Sequence, residues 1–128
     1  HILPPLSKRD VSDVLSAADM ALSLFIDLKP MWANSANKFF DALASGTPLA
    51  VNYDGWQAEL LNETGAGIVL PPDDPAEAAT LIDKFLADRA GLCDAGRAAR
   101  QLAEDCFSRD KLATELEGVL RRVVESHT

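Results

Sequence analysis

An α/β fold with a short parallel sheet of about four strands flanked by helices is predicted by three features of this sequence. Short apolar runs at Met20–Phe25, Leu49–Tyr53 and Ile68–Leu70 have the length and composition of strands. The segments between them carry apolar residues at helical spacing. The resulting order of strand, helix, strand, helix requires parallel pairing with right-handed crossovers.

His1-Ile2-Leu3-Pro4-Pro5 has the character of a strand end running into a loop, so the chain reads as a fragment. Ser7 then caps a helix whose third position is Asp10, with Val11, Val14, Leu15 and Ala18 as its buried stripe. Met20–Phe25 is nearly continuous in apolar residues, the pattern of a parallel strand covered on both faces. A loop from Ile26 to Ala33, with Pro30, Met31 and Trp32, follows at the carboxyl end of that strand. Open parallel sheets bind ligands at that edge.

The central stretch runs from Asn34 to Asn52 as loop, short helix and strand. Ala36, Phe39, Phe40, Leu43 and Ala44 share one helical face, and Asn37, Asp41 and Ser45 share another. Asn34 or Ser35 is expected to cap the helix, and Gly46 to take the left-handed stop position before Pro48 and the apolar run Leu49-Ala50-Val51. After that strand, Asp54-Gly55-Trp56-Gln57 forms a second loop on the same sheet edge and enters a helix with Glu59, Leu60 and Leu61. Gly65-Ala66-Gly67 permits a tight turn into Ile68-Val69-Leu70.

In Pro71–Glu77, Asp74 caps a helix, Pro75 occupies its first turn and Glu77 closes a capping box, which accounts for these acids without catalysis. Helices are expected over about 75–88, 91–106 and 109–125, the last capped by Ser108. Cys93 and Cys106 then share one helix, where thirteen residues separate them by about 20 Å, too far for a disulfide. Both are read as packing residues.

The 128 residues make one modest domain, and the 48% apolar and 25% charged fractions are those of a globular protein. A net charge of −8 argues against nucleic acid as a partner. No run approaches the roughly 18 apolar residues of a membrane span, and no signal-peptide pattern is present, which points to the cytoplasm. The two histidines, His1 and His127, stand at the chain ends. No interior imidazole offers a catalytic base, and no metal site is expected.

The stretch "NSANKFFDALASGTPLAVNYDGWQAELLNETGAGIVLPPDDPAEAATLI", with "LSAADMALSLF" before it and "FSRDKLATELEGVL" after it, resembles the carboxy-terminal, donor-binding half of a two-Rossmann-domain (GT-B type) glycosyltransferase. The resemblance is strongest to the bacterial branch that makes lipopolysaccharide and other surface glycans, and it covers nearly the whole chain. It implies a partial Rossmann-like domain over residues 1–128 whose first strands and amino-terminal acceptor domain are absent. The implied parent moves a sugar from a nucleotide diphosphate sugar to a lipid-linked or saccharide acceptor. Its relatives generally retain anomeric configuration, need no cofactor or bound metal, and can associate peripherally with the inner face of a membrane. With half the cleft missing, the isolated chain is expected to be inactive.

On the residues alone, Asn34 and Ser35 read first as caps, Asn37 and Lys38 as solvated side chains and Asp41 as a charge that favours the helix dipole. The physics of the site also suits a donor. Amides around Ser35, Ala36, Asn37 and Lys38 at a helix start can hold a diphosphate, and Asp41 one turn on can accept hydrogen bonds from a ribose diol. The resemblance assigns those roles, with Asn34, Trp56, Gln57 and Glu59 as further possible donor contacts; Trp56 serves as well for packing. The family pattern brackets this helix with two glutamates seven residues apart, and here Ala33 and Asp41 stand at those positions. Ala33 cannot make the first glutamate's contact with the transferred sugar, so that role is absent or taken by Asn34 or Ser35, and no catalytic residue is assigned. Two other readings remain: a nucleotide sugar epimerase, which shares the architecture, and a non-catalytic partner-binding module.

Overall fold

Among the described residues three strands, rather than about four, form the sheet. The computed structural model describes residues 1–126, and His127 lies outside them. In chain order the elements are α1 (Lys8–Ala17), β1 (Ala21–Ser23), a 3-10 turn (Lys29–Ala33), α2 (Asn37–Ala44) and β2 (Leu49–Val51). Next come α3 (Trp56–Thr64), β3 (Gly67–Val69), α4 (Pro75–Ala87), α5 (Arg89–Cys106) and α6 (Arg109–Ser126). The sheet order is β1-β2-β3, all parallel, with Ala21 opposite Leu49 and Leu49 opposite Gly67. Residues 1–6 pair with no strand, and Ile2 and Leu3 are exposed. Pro4 and Pro5 directly after them have no N–H to give a ladder.

Burial follows position in the sheet. Leu49, Ala50 and Val51 of central β2 are fully buried, as expected for a strand covered on both faces. Edge strand β1 departs from that expectation: Ser23 is buried while Leu22 and Leu24 are exposed, the alternation of a strand covered on one face. The stripe of α1 is likewise only partly covered, with Val11 and Leu15 half-buried and Val14 and Ala18 exposed. The cap at Ser7 forms as expected, its hydroxyl oxygen accepting from the Asp10 amide at 3.3 Å.

The core gathers Phe39, Leu43, Leu49, Val51, Tyr53 and Leu61 from α2, β2, the following loop and α3, closed by Ala99 and Leu102 of α5. In α2 the buried positions are Phe39, Ala42 and Leu43, whereas Phe40 is half-buried and Ala44 exposed. The face is rotated because α5 crosses α2 near its end. A Cβ on Gly96 would lie 2.8 Å from the Gly46 carbonyl oxygen, and Arg100 Nη1 donates to the Ala44 carbonyl at 2.5 Å. That bond satisfies one carbonyl left over at the α2 terminus. Gly46 takes φ +69°, the left-handed stop expected of it.

Asp74 caps α4 by accepting from the Ala76 and Glu77 amides at 3.1 and 2.9 Å. The reciprocal Glu77 contact of a full capping box does not form. Asp88, unread in the sequence, caps α5 by accepting from Gly91 N, so the two helices meet with one residue between them. For α6 the Ser108 carbonyl accepts from Leu112 N, and its side chain takes no cap bond. Cys93 and Cys106 share α5 as expected, yet both are free and exposed rather than packed. The positions facing the core on that helix belong to Leu92, Ala95, Ala99 and Leu102; Cys93 stands off that line, and Cys106 continues it at the last residue of the helix, where it is exposed.

Candidate functional site at the opening of α2

The carboxyl ends of β1 and β2 bring three chain segments to one edge: the loop after Ser23, the opening of α2, and the loop into α3. Asn52 ties the first to the third. Its Oδ1 accepts from Phe25 N and its Nδ2 donates to the Phe25 carbonyl, both at 2.9 Å. Deeper in, Tyr53 Oη lies 3.1 Å from Ser23 Oγ and donates to Gln57 Oε1 at 2.5 Å. Gln57 Nε2 then donates to the Asn34 carbonyl at 3.2 Å, as does Trp56 Nε1. One chain of hydrogen bonds thus runs from Ser23 of β1 through Tyr53 after β2 and Gln57 of α3 to Asn34, two residues before the Ala36 N-cap of α2. Every buried side-chain polar atom among the described residues has a partner.

The helix start differs from the capping expected of Asn34 or Ser35. Ala36 is the N-cap residue, and no side chain caps α2. Asn34 instead closes a turn, its Oδ1 accepting from Ala36 N at 3.3 Å and its Nδ2 donating to the Met31 carbonyl at 2.8 Å. Ser35 is exposed and makes no side-chain bond. The amides of Asn37 and Lys38 have no acceptor among the described residues. They are the free donors that a helix start presents, together with the positive end of its dipole.

Around this opening, Asn37 and Lys38 are exposed, and the Lys38 ammonium sits 4.4 Å from the centroid of the Phe25 ring. Asp41, one turn on, is partly exposed, and its Oδ1 lies 3.9 Å from Lys8 Nζ at the start of α1. Lys8 went unread in the sequence, because 33 positions separate it from Asp41 and no local pattern links them. Asp41 also borders a surface cavity of about 420 Å³ shared with Phe40, Arg100, Phe107 and Arg109. Three aromatic rings close the wall beside it. Trp56 stacks on Phe40 with centroids 6.1 Å apart, and Phe107 meets Phe40 edge-on at 5.0 Å.

The remaining candidates divide by burial. Gln57 is completely buried, so it holds the Asn34 carbonyl and offers no surface to a ligand. Trp56 is half-buried within the aromatic wall, and Glu59 is exposed in the first turn of α3. Ala33 is exposed at the end of the 3-10 turn. Among the described residues, no three His, Cys, Asp or Glu side chains gather as metal ligands, and no helix is long and apolar enough to cross a membrane.

An open parallel sheet with a helix start and a carboxylate at its carboxyl edge defines an α/β domain of partial Rossmann type, a class that carries ligands at that edge. A family model described as glycosyl transferase-like matches residues 1–118, and the chain belongs to that family: it is a glycosyltransferase domain. No curated protein matches the chain.

Proposed function

We propose that this domain is the donor-binding half of a GT-B type glycosyltransferase. It would move a sugar from a nucleotide diphosphate sugar to a lipid-linked or saccharide acceptor, in the branch that builds lipopolysaccharide and other surface glycans. The observation that carries the reading is the pair of free amides at Asn37 and Lys38 with the Asp41 carboxylate one helical turn away. The amides and the helix dipole hold the diphosphate and stabilise the charge it gains as leaving group. Asp41 accepts from the ribose hydroxyls, while Lys8 holds a second cation within reach of the phosphates. Trp56 and the loops after β1 and β2 flank the base, and Gln57 acts indirectly by fixing Asn34.

In this reading no metal or cofactor takes part. The acceptor and the catalytic groups come from an amino-terminal domain, working at the cytoplasmic face of a membrane, so the chain alone transfers nothing. Amide NMR spectra recorded while titrating uridine, guanosine, adenosine and thymidine diphosphates test the donor site. Saturable shifts confined to residues 35–41 and the facing loops, for one nucleotide, are expected. No saturable shift with any of the four would overturn the assignment of these residues.

A further inference from the structure

Lys38 stands where the local structure of α2 disfavours it. It is the second residue of the helix, and a cation there meets the positive end of the helix dipole. Its ammonium joins none of the ion pairs among the described residues, and the one carboxylate of α2, Asp41, is engaged with Lys8. What holds the ammonium is the Phe25 ring, 4.4 Å away at its centroid.

Phe25 lies two residues beyond the end of β1, and its backbone is held by the Asn52 side chain. The ladder between β1 and β2 ends at Ser23 opposite Val51. One residue past Val51, the Asn52 carboxamide continues the pairing, accepting from Phe25 N and donating to the Phe25 carbonyl, both at 2.9 Å. A side-chain amide carries an acceptor and a donor together, so it closes on both polar groups of one residue as a neighbouring strand would. The Phe25 ring then meets Tyr53 edge-on, with centroids 5.4 Å apart. Since Oδ1 and Nδ2 of Asn52 are both engaged with Phe25, Asn52 acts through that residue.

We infer that Asn52 is a positioning residue for the donor diphosphate: it seats Phe25 so that the ring keeps the Lys38 ammonium on the β1 side of the α2 opening. This role rests on the donor site proposed above. A lysine loose in water spreads its charge over many rotamers, and contact with the ring narrows them before a nucleotide arrives. A bound diphosphate also reverses the unfavourable setting of Lys38, because an anion at the helix start attracts both the ammonium and the dipole.

Two measurements on the 128-residue chain test this role. In NMR spectra of the chain without nucleotide, the Lys38 ε-methylene protons are expected upfield of those of the other lysines, shielded by the Phe25 ring. Asn52→Ala and Phe25→Leu should each move them back. Calorimetric titration with uridine, guanosine, adenosine and thymidine diphosphates then reads the effect on binding. For the nucleotide that binds, Lys38→Ala is expected to weaken binding about tenfold and Asn52→Ala about threefold. Added to Lys38→Ala, Asn52→Ala should cost nothing further, whereas a purely structural role would cost the same in either background. Phe25→Leu leaves both Asn52 bonds in place, is expected to match Asn52→Ala, and replaces it in the cycle if that variant fails to fold. Unshifted Lys38 protons in the parent, or equal losses with and without Lys38, overturn the role of Asn52 and leave the donor site standing. A parent that binds none of the four nucleotides overturns the donor site and this role with it.

Discussion

The buried side chain of Gln57 donates to the backbone carbonyl of Asn34 at 3.2 Å, fastening α3 to the residue from which α2 is launched. The two residues are 23 positions apart in the chain, and their bond ties the turn before α2 to α3.

Gln57→Ala removes that bond and the one from Tyr53, and it leaves a void where the buried amide stood. Tyr53 keeps Ser23, and Asn34 keeps the Trp56 indole. A loss of about 2 kcal/mol in urea unfolding is expected. A variant as stable as the parent would show that the network does not hold the loop.

Gly55 opens α3 at φ +102°, and a Cβ there would lie 2.6 Å from the Trp32 carbonyl oxygen. Gly65 ends the same helix at φ +71° with open space around it. Gly55→Ala should therefore cost about 3 kcal/mol and Gly65→Ala about 1 kcal/mol, since only the former adds a backbone clash to the strain of positive φ. Thermal unfolding of the two variants side by side checks the order; equal losses would contradict it.

Asp41 and Lys8 form an exposed pair at 3.9 Å, which solvent screens. Asp41→Ala is expected to change stability by less than about 0.5 kcal/mol. In the proposed site it removes a charged acceptor from the ribose, weakening nucleotide diphosphate binding by about tenfold or more. Calorimetric titration separates the two effects, and unchanged binding in a folded variant would remove Asp41 from the site.

Phe107 joins α5 to α6 and touches Phe39, Phe40 and Trp56 by edge contacts. Because it is half-buried, Phe107→Ala should cost about 2 kcal/mol, below the range of a fully buried phenylalanine. It should also shift tryptophan emission to the red as Trp56 gains water. An unchanged spectrum would mean that the aromatic wall closes without Phe107.

Much of the local architecture was legible in the sequence because its causes are local. Ser7 and Asp74 cap helices through amides two or three residues away, and Gly46 stops α2 through its own backbone. The same reasoning misplaced the cap of α2, since Asn34 is engaged with Met31 and Ala36 in a turn that only the 3-10 segment before it creates. It also gave Cys93 and Cys106 a packing role, because periodicity shows that a helix has a buried face without showing which neighbour selects it.

The sequence by itself determined the order and type of the elements, the parallel sheet and the polar face bearing Asn37 and Asp41, since each depends on residues within about a helical turn. Tertiary structure alone decided that Gln57 is buried, that Leu22 and Leu24 face out from an edge strand, and that Lys8 stands beside Asp41. It also left Leu112, Leu116 and Val119 of α6 exposed. Those outcomes depend on which surfaces meet across tens of residues, where the area removed from water outweighs any local preference.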